Sequence, residues 1–287
     1  RLQEEGLLDL DEDISNYIGL DIRSPYFPDV PITTRMLMQH TSGIVDSAAY
    51  AASSDNPPYC TLQELVDAGG MFTSSKPGSR FRYTNFGAGL MAGIIEGATG
   101  ERFYDYMQHA VMEPLDIDGG YLHIKIRAHD QVANMYRNGR LSYDLKNSLR
   151  REGAYDNLPL GSLYLLGHGD LIISARDLAK FGMILAGNGT YHGLSFLSPA
   201  SVNEMNTTYF TSGGNGVGLS QISTDTLVQG RTLHGHSGSA YGMISGMYFD
   251  PEDQTGCAYI TNGADKITDQ SGNYTMAVYL LRLAYAD

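Results

Sequence analysis

Positive charge is scarce in this chain: 19 Lys and Arg stand against 32 Asp and Glu, a formal net charge of −13 over 287 residues. A surface of that sign repels phosphate backbones and anionic lipid, so nucleic acid is not an expected partner. Long apolar runs are missing too. None reaches the ~18 residues of a membrane-crossing helix, and no integral membrane segment is expected. Cysteine is limited to Cys60 and Cys257, far apart and in neither C-x-x-C nor zinc spacing; the pair fits one disulfide or two buried thiols and leaves the compartment open. Internal repeats and low-complexity tracts are absent. What remains is globular in composition, 42% hydrophobic with 34 Gly and 20 Tyr, and long enough for one large domain or two of ordinary size.

Several chemistries lack their signatures. No serine has glycine at both positions two away, which excludes the G-x-S-x-G nucleophile elbow. Gly213–Gly218, GGNGVG, has no strand-turn-helix context and reads as a hairpin turn instead of a dinucleotide loop. His234 and His236 alternate onto one strand face, as a metal pair could, but no third ligand is marked by spacing. Neither a metal nor a cofactor is expected.

The elements themselves follow ordinary start and stop signals. Thr33 precedes the short amphipathic helix TRMLMQH, and Thr61 with Glu64 forms a capping box before Leu62, Leu65 and Val66. From Asn85, residues Phe86, Leu90, Met91, Ile94 and Ile95 follow helical spacing, while Gly89, Gly93 and Gly97 line a second stripe that permits close approach by a neighbour. Gly100 ends that helix, and another around Phe103, Met107 and Val111 runs to Pro114. Residues 115–165 show no sustained periodicity and are expected to be loops and short pieces. Ser174 with Asp177 opens a helix that Gly187 stops, and Ser198-Pro199 starts another. GVGLSQIS, TLVQG, YGMISGMYF and CAYITNG then read as short strands, the last two forming an antiparallel hairpin across DPEDQTG. A closing helix carries Met276, Leu280 and Leu283 on one stripe. Helices in the middle with strands and a terminal helix at the end make an α+β arrangement.

Two stretches carry candidate chemistry. In FRYTNFG, Tyr83 and Asn85 sit two apart at a helix entrance; the structural alternative is a cap in which Thr84 or Asn85 bonds a free backbone N–H. In LHGHSGSAYG, the small residues Gly235, Ser237, Gly238 and Ser239 around His236 leave an open strand edge where a substrate backbone could lie.

Taken in order, ITTRMLMQHTSG, PGSRFRYTNFGAGLMAGIIEGATG, SARDLAKFGMIL and GHSGSAYG leading into MYFDPEDQTGCAYITNG resemble the serine β-lactamase and penicillin-binding-protein superfamily. The likeness spans almost the whole chain and is greatest to the class C β-lactamase-related branch, which includes D-aminopeptidases, DD-carboxypeptidases and esterases. It implies an antiparallel β-sheet flanked by helices plus an inserted helical domain, with 1–30 and 166–287 in the sheet domain and 31–165 in the mostly helical one. By motif, Tyr83 and Asn85 match Y-x-N, and His236, Ser237 and Gly238 match K-T-G. Ser239 stands where a backbone N–H joins the oxyanion hole. The implied reaction is acylation of a serine by an amide, peptide or ester carbonyl followed by hydrolysis, with Tyr83 relaying the proton. A small-molecule or peptide substrate follows, as does a periplasmic or extracellular compartment, without excluding the cytoplasm.

The chain departs from that pattern in one decisive respect. Its five lysines, Lys76, Lys125, Lys146, Lys180 and Lys266, have Thr73, Leu122, Tyr143, Asp177 and Gly263 three positions before them, so there is no S-x-x-K. Thr73 and Lys76 have the spacing but lie in a Gly/Pro-bounded loop where the family has no nucleophile. Leu2, Gln3 and Glu4 read as the last turn of a helix stopped by Gly6. The expectation is therefore a hydrolase whose nucleophile segment lies upstream of this chain, the chain itself being inactive and its sheet completed by that segment or a second chain. The other reading is a non-catalytic ligand- or peptide-binding member. His236 in place of the lysine of K-T-G tilts the substrate from β-lactams toward peptides, amides or esters.

Overall fold

A computed structural model describes residues 1–55, 61–144, 152, 155 and 158–286. Cys60 lies outside these, and Cys257 is a half-buried free thiol whose pKa is pushed up by burial. The chain forms two compact units: Arg1–Pro114, Gly120–Leu122 and Arg151–Leu171 in one, Leu115–Gly119, His123–Arg150 and Ile172–Asp287 in the other.

The first unit is helical. Its short helices are α1 (Ile14–Ile18), α2 (Thr34–Met38), α3 (Ala48–Asp55) and α4 (Leu62–Ala68), arranged about the longer α5 (Asn85–Thr99). The expected caps are present: the Thr33 side chain accepts from Met36 N–H, and Thr61 and Glu64 make the full capping box. Phe86, Leu90 and Ile94, one turn apart, are completely or almost completely buried and form a core with Ile14, Ile22, Ile32, Leu37, Leu65 and Tyr164. Ile14 and Ile22 in this core correct the placement of 1–30 with the sheet; the apolar side chains of that segment find their burial among helices.

The glycine stripe of α5 lies where neighbours come closest. A Cβ on Gly97 would fall 1.9 Å from the Tyr17 carbonyl oxygen, so only glycine fits there. Gly100 ends the helix in the left-handed conformation, φ 73°, donating its N–H to the Glu96 carbonyl. After it, α6 (Phe103–Met107) runs into a π-helical turn over Gln108–Met112 and a 3-10 turn over Glu113–Leu115, in place of one uninterrupted helix to Pro114.

The second unit carries two small hairpins, β1 (Met135–Arg137) with β2 (Arg140–Tyr143) and β3 (Thr190–Tyr191) with β4 (Leu194–Ser195). It also holds α7 (Ala175–Ala186) and α8 (Pro199–Asn206). Its main sheet is built from β5 (Phe210–Ser212), β6 (Asn215–Val217), β7 (Ile222–Thr224), β8 (Leu233–Ala240), β9 (Met243–Asp250) and β10 (Thr255–Thr261). These lie side by side in sequence order, antiparallel throughout. The β9–β10 hairpin is the one expected. TLVQG is not a strand: Leu227 and Val228 leave the sheet and are buried in the core between its face and α9 (Thr275–Ala284), alongside Leu233, Ile244, Tyr248 and Tyr259. The stripe on α9 also differs, since Ala277, Val278 and Leu281 are buried while Leu283 is 63% exposed. Met247, on the other face of β9, packs toward Gly182 of α7.

Candidate active site

The N-terminus of α5 is capped from outside the helix. Thr84 occupies the cap position but makes no capping hydrogen bond through its own side chain. Asp46 does so instead, accepting the Phe86 N–H at 2.9 Å and the Thr84 hydroxyl at 2.6 Å on Oδ1, and Asn85 Nδ2 at 2.9 Å on Oδ2. The local reading of FRYTNFG as a self-capped helix start is thereby corrected. A carboxylate is the stronger acceptor at a positive helix end, and it releases Asn85 to point elsewhere.

That release orders the site. A carboxylate only accepts, so the Asn85 amide must turn its NH2 to Asp46 and its oxygen outward, and Tyr83 donates its hydroxyl to that oxygen at 3.3 Å. Tyr83 and Asn85 are thus brought together as their sequence spacing suggested, in a relay that ends on Asp46. Asp46 is exposed as a residue, yet its carboxylate serves the buried Thr84 hydroxyl. Burial raises its pKa, but the hydrogen bonds from Thr84, Phe86 and Asn85 outweigh burial and hold it below the usual range. Tyr83, 49% exposed, is shifted upward, first by desolvation and then by the Asp46 charge. Both effects act against ionising the phenol.

Around this relay lie residues that no sequence signal marked. Asp46 is 38 positions from Thr84, a separation at which no local pattern operates. His40, seen in the sequence only as the end of a helix, packs its ring against Tyr83 at 4.4 Å between centroids. His168, at the end of the 3-10 turn Tyr164–His168, meets Tyr50 edge to face at 6.0 Å, and its buried Nδ1 has no hydrogen-bond partner among the described residues. Burial lowers the His168 pKa, partly opposed by Asp46. Thr73 is occupied structurally: its hydroxyl donates to the Gly43 carbonyl at 3.2 Å and accepts the Ser75 N–H.

In the second unit, His236, Ser237, Gly238 and Ser239 follow one another along β8, opposite Met247, Gly246, Ser245 and Ile244 of β9. On its other side β8 pairs with β7 only through Leu233, His234 and Gly235; among the described residues no strand covers 236–240 there. The small residues Ser237, Gly238 and Ser239 lie on this part of the strand. Burial pushes the Tyr248 phenol up, opposed by the neighbouring Ser237 side chain, and His236 Nδ1 lies 2.6 Å from the Ser237 carbonyl. His234 shares the face of His236 but rests on Phe249, at 5.8 Å between rings, and its pKa is lowered by burial. Among the described residues no group of three or more His, Cys, Asp or Glu is placed to hold a metal.

Comparison with solved structures finds the same fold. The octameric penicillin-binding protein homologue of Pyrococcus abyssi superposes with a TM-score of 0.74 at 26% identity, covering 99% of this chain and 61% of that one. A D-stereospecific amidohydrolase from Streptomyces gives 0.70 at 20% identity, with 100% and 82% covered. Among curated proteins, penicillin-binding protein 4* of Bacillus subtilis is 29% identical over 117 residues, 39% of this chain and 25% of that protein. The mouse mitochondrial serine β-lactamase-like protein LACTB is 25% identical over 260 residues, 63% of this chain and 44% of that protein. The chain therefore spans less than half the length of either curated relative. Residues 1–280 match the family described as Beta-lactamase, and with the antiparallel sheet and helical unit of that fold in place, the chain belongs to that family of serine hydrolases.

Proposed function

We propose that this chain carries the substrate-binding and proton-relay parts of a serine hydrolase acting on amide, peptide or ester bonds through an acyl-enzyme, with the acylating serine supplied from outside these 287 residues. The observation that supports it most directly is the relay from Tyr83 through Asn85 to Asp46, standing at a helix N-terminus in a chain of this family. Tyr83 exchanges a proton with the attacking and leaving groups. Asn85, its amide locked by Asp46, presents an oxygen to substrate and phenol alike. Along β8, the edge of His236, Ser237 and Gly238 that faces away from β9 receives an extended substrate, and the Ser239 N–H polarises its carbonyl. The substrate is a small molecule or peptide.

A base at Tyr83 near neutral pH requires its pKa to fall by about three units, roughly 4 kcal/mol. No S-x-x-K lysine is present to supply that, and burial and Asp46 push the other way. The chain by itself therefore fits the second reading, a ligand- or peptide-binding protein without turnover. The test is covalent labelling. The 287-residue chain should take up neither a fluorescent penicillin nor a fluorophosphonate, and should not hydrolyse a p-nitrophenyl ester above background. With an S-x-x-K segment joined upstream, esterase activity should appear and collapse in Tyr83→Phe. Stoichiometric acylation of the chain alone would overturn the reading, as would full activity of the Tyr83→Phe variant.

A further inference from the structure

His40 lies in the HTSG segment after α2 and takes no part in the chemistry set out above. Its backbone is in the left-handed region, φ 53°, which costs a residue with a Cβ about 1 kcal/mol or more. Three contacts depend on that conformation. The His40 carbonyl accepts the Arg82 N–H at 2.7 Å. Its ring packs on Tyr83 at 4.4 Å, tilted by 41°. Its Nδ1 accepts the Thr84 N–H at 3.4 Å. One residue thus grips three successive positions just before α5 begins. Phe81 meets the same ring edge-on at 5.9 Å, so Phe81 and Tyr83 share one side of the extended segment that leads into the helix.

The Thr84 contact decides the tautomer. An Nδ1 that accepts an N–H carries no proton, so the neutral imidazole holds its proton on Nε2. A second proton on Nδ1 would set two donors against each other at that position. In that tautomer Nδ1 offers Thr84 a lone pair and not a proton. What His40 can supply is orientation. The tilted ring stands against the phenol and limits its rotation, and with Asn85 receiving the hydroxyl this leaves Tyr83 one direction in which to present its oxygen.

The geometry points to His40 as a positioning residue of this site, an Nε2–H imidazole that clamps residues 82–84 and fixes the Tyr83 ring. Its catalytic consequence rests on the reading of Tyr83 as a proton relay; the clamp itself is testable without any turnover. Asparagine is the informative replacement, because it tolerates a left-handed backbone and its side-chain oxygen can accept the Thr84 N–H, while the ring is gone.

The experiment is NMR on the 287-residue chain labelled at histidine and tyrosine, wild type and His40→Asn, with melting temperatures alongside. In the wild type His40 should show protonated Nε2 and bare Nδ1 at neutral pH. In His40→Asn the Tyr83 ring signals should move toward freely flipping, averaged positions while the melting temperature stays within a few degrees. A proton on Nδ1 in the wild type overturns the assignment, whether or not the variant folds, and so do unchanged Tyr83 signals in a folded variant. In a form joined to the upstream nucleophile segment, His40→Asn should lower kcat about ten- to a hundredfold with KM unchanged. If Tyr83→Phe has no effect in that form, the relay reading falls while the NMR result still supports the clamp. If Tyr83→Phe is damaging and His40→Asn is silent by both measures, the clamp falls while the relay reading stands.

Discussion

Replacing Asp46 with alanine removes one acceptor that three groups share, and the cost can be assembled from what each is left facing. Thr84 is 1% exposed, so its hydroxyl would stay buried without the 2.6 Å partner it has now; an abandoned buried donor costs about 1–3 kcal/mol. The Phe86 N–H, one of the unpaired donors of the first turn of α5, loses its cap, worth about 1 kcal/mol. Asn85 makes its bond at an exposed position, where water takes over at little cost. The total is about 3 kcal/mol, a fall in melting temperature on the order of 8 °C for a chain of this size. Asp46→Asn keeps one acceptor oxygen and should lose about half of that. Because hydrogen bonding holds the Asp46 carboxyl below its ordinary range despite burial, the folded chain binds fewer protons there than the unfolded one. Its stabilisation is then complete above the ordinary aspartate pKa, ~3.9, and is lost as pH falls through the lower folded value. Asp46→Asn should remove that acid limb from the stability profile. In both variants the Tyr83 phenol, freed from the neighbouring charge, should titrate at lower pH than in the wild type. Thermal unfolding followed by circular dichroism, repeated across the acid range, and carbon NMR of labelled tyrosine measure these effects. Wild-type melting together with an unmoved Tyr83 titration in Asp46→Ala would refute both the cap and the field.

Other consequences concern the frame around the relay. Gly97→Ala drives a methyl to 1.9 Å from the Tyr17 carbonyl and should cost about 3 kcal/mol or more, whereas Gly93→Ala meets the Leu62 side chain at 3.3 Å and that of Ile18 at 3.9 Å and should be close to neutral by thermal melting, the methyl's crowding offset by up to ~1 kcal/mol of helix propensity. Glu96, 3% exposed, accepts the Phe103 N–H at 3.0 Å and also the Gly161 N–H; Glu96→Ala strands two backbone donors and should cost about 2–4 kcal/mol, read by denaturant midpoint. His168, whose pKa burial lowers, takes up its proton less readily folded than unfolded. Stability should therefore decline as pH drops below about 6.5, and His168→Gln should flatten that limb.

Much of the frame could be read from local signals because local forces set it. Thr33, Thr61, Ser174 and Ser198 cap their helices as their spacing indicated, and the β-rich composition of β9 and β10 with the DPEDQTG turn between them gave their hairpin. The errors arose where tertiary packing overrode propensity. TLVQG has the composition of a strand, but Leu227 and Val228 gain more from burial beneath α9 than from a ladder. On α9 the buried stripe runs through Ala277, Val278 and Leu281, with Met276 and Leu280 at its margin and Leu283 outside it, because the sheet decides which face is covered. Tyr83 and Asn85 were visible as a pair; Asp46, His40 and His168 were not, since each reaches the site through a fold that no short window of sequence contains.

Strand β8 ends its pairing with β7 at Gly235 but keeps its pairing with β9 to Ala240. Successive peptide groups of a strand point to opposite sides, so between His236 and Ala240 every second amide is locked to β9 and the ones between face outward. Isotope exchange along this stretch should consequently alternate, slow then fast, residue by residue. A ligand bound along the edge would abolish the alternation without altering the strand, so the occupancy of the site can be read from the rhythm of its own backbone in the absence of any reaction.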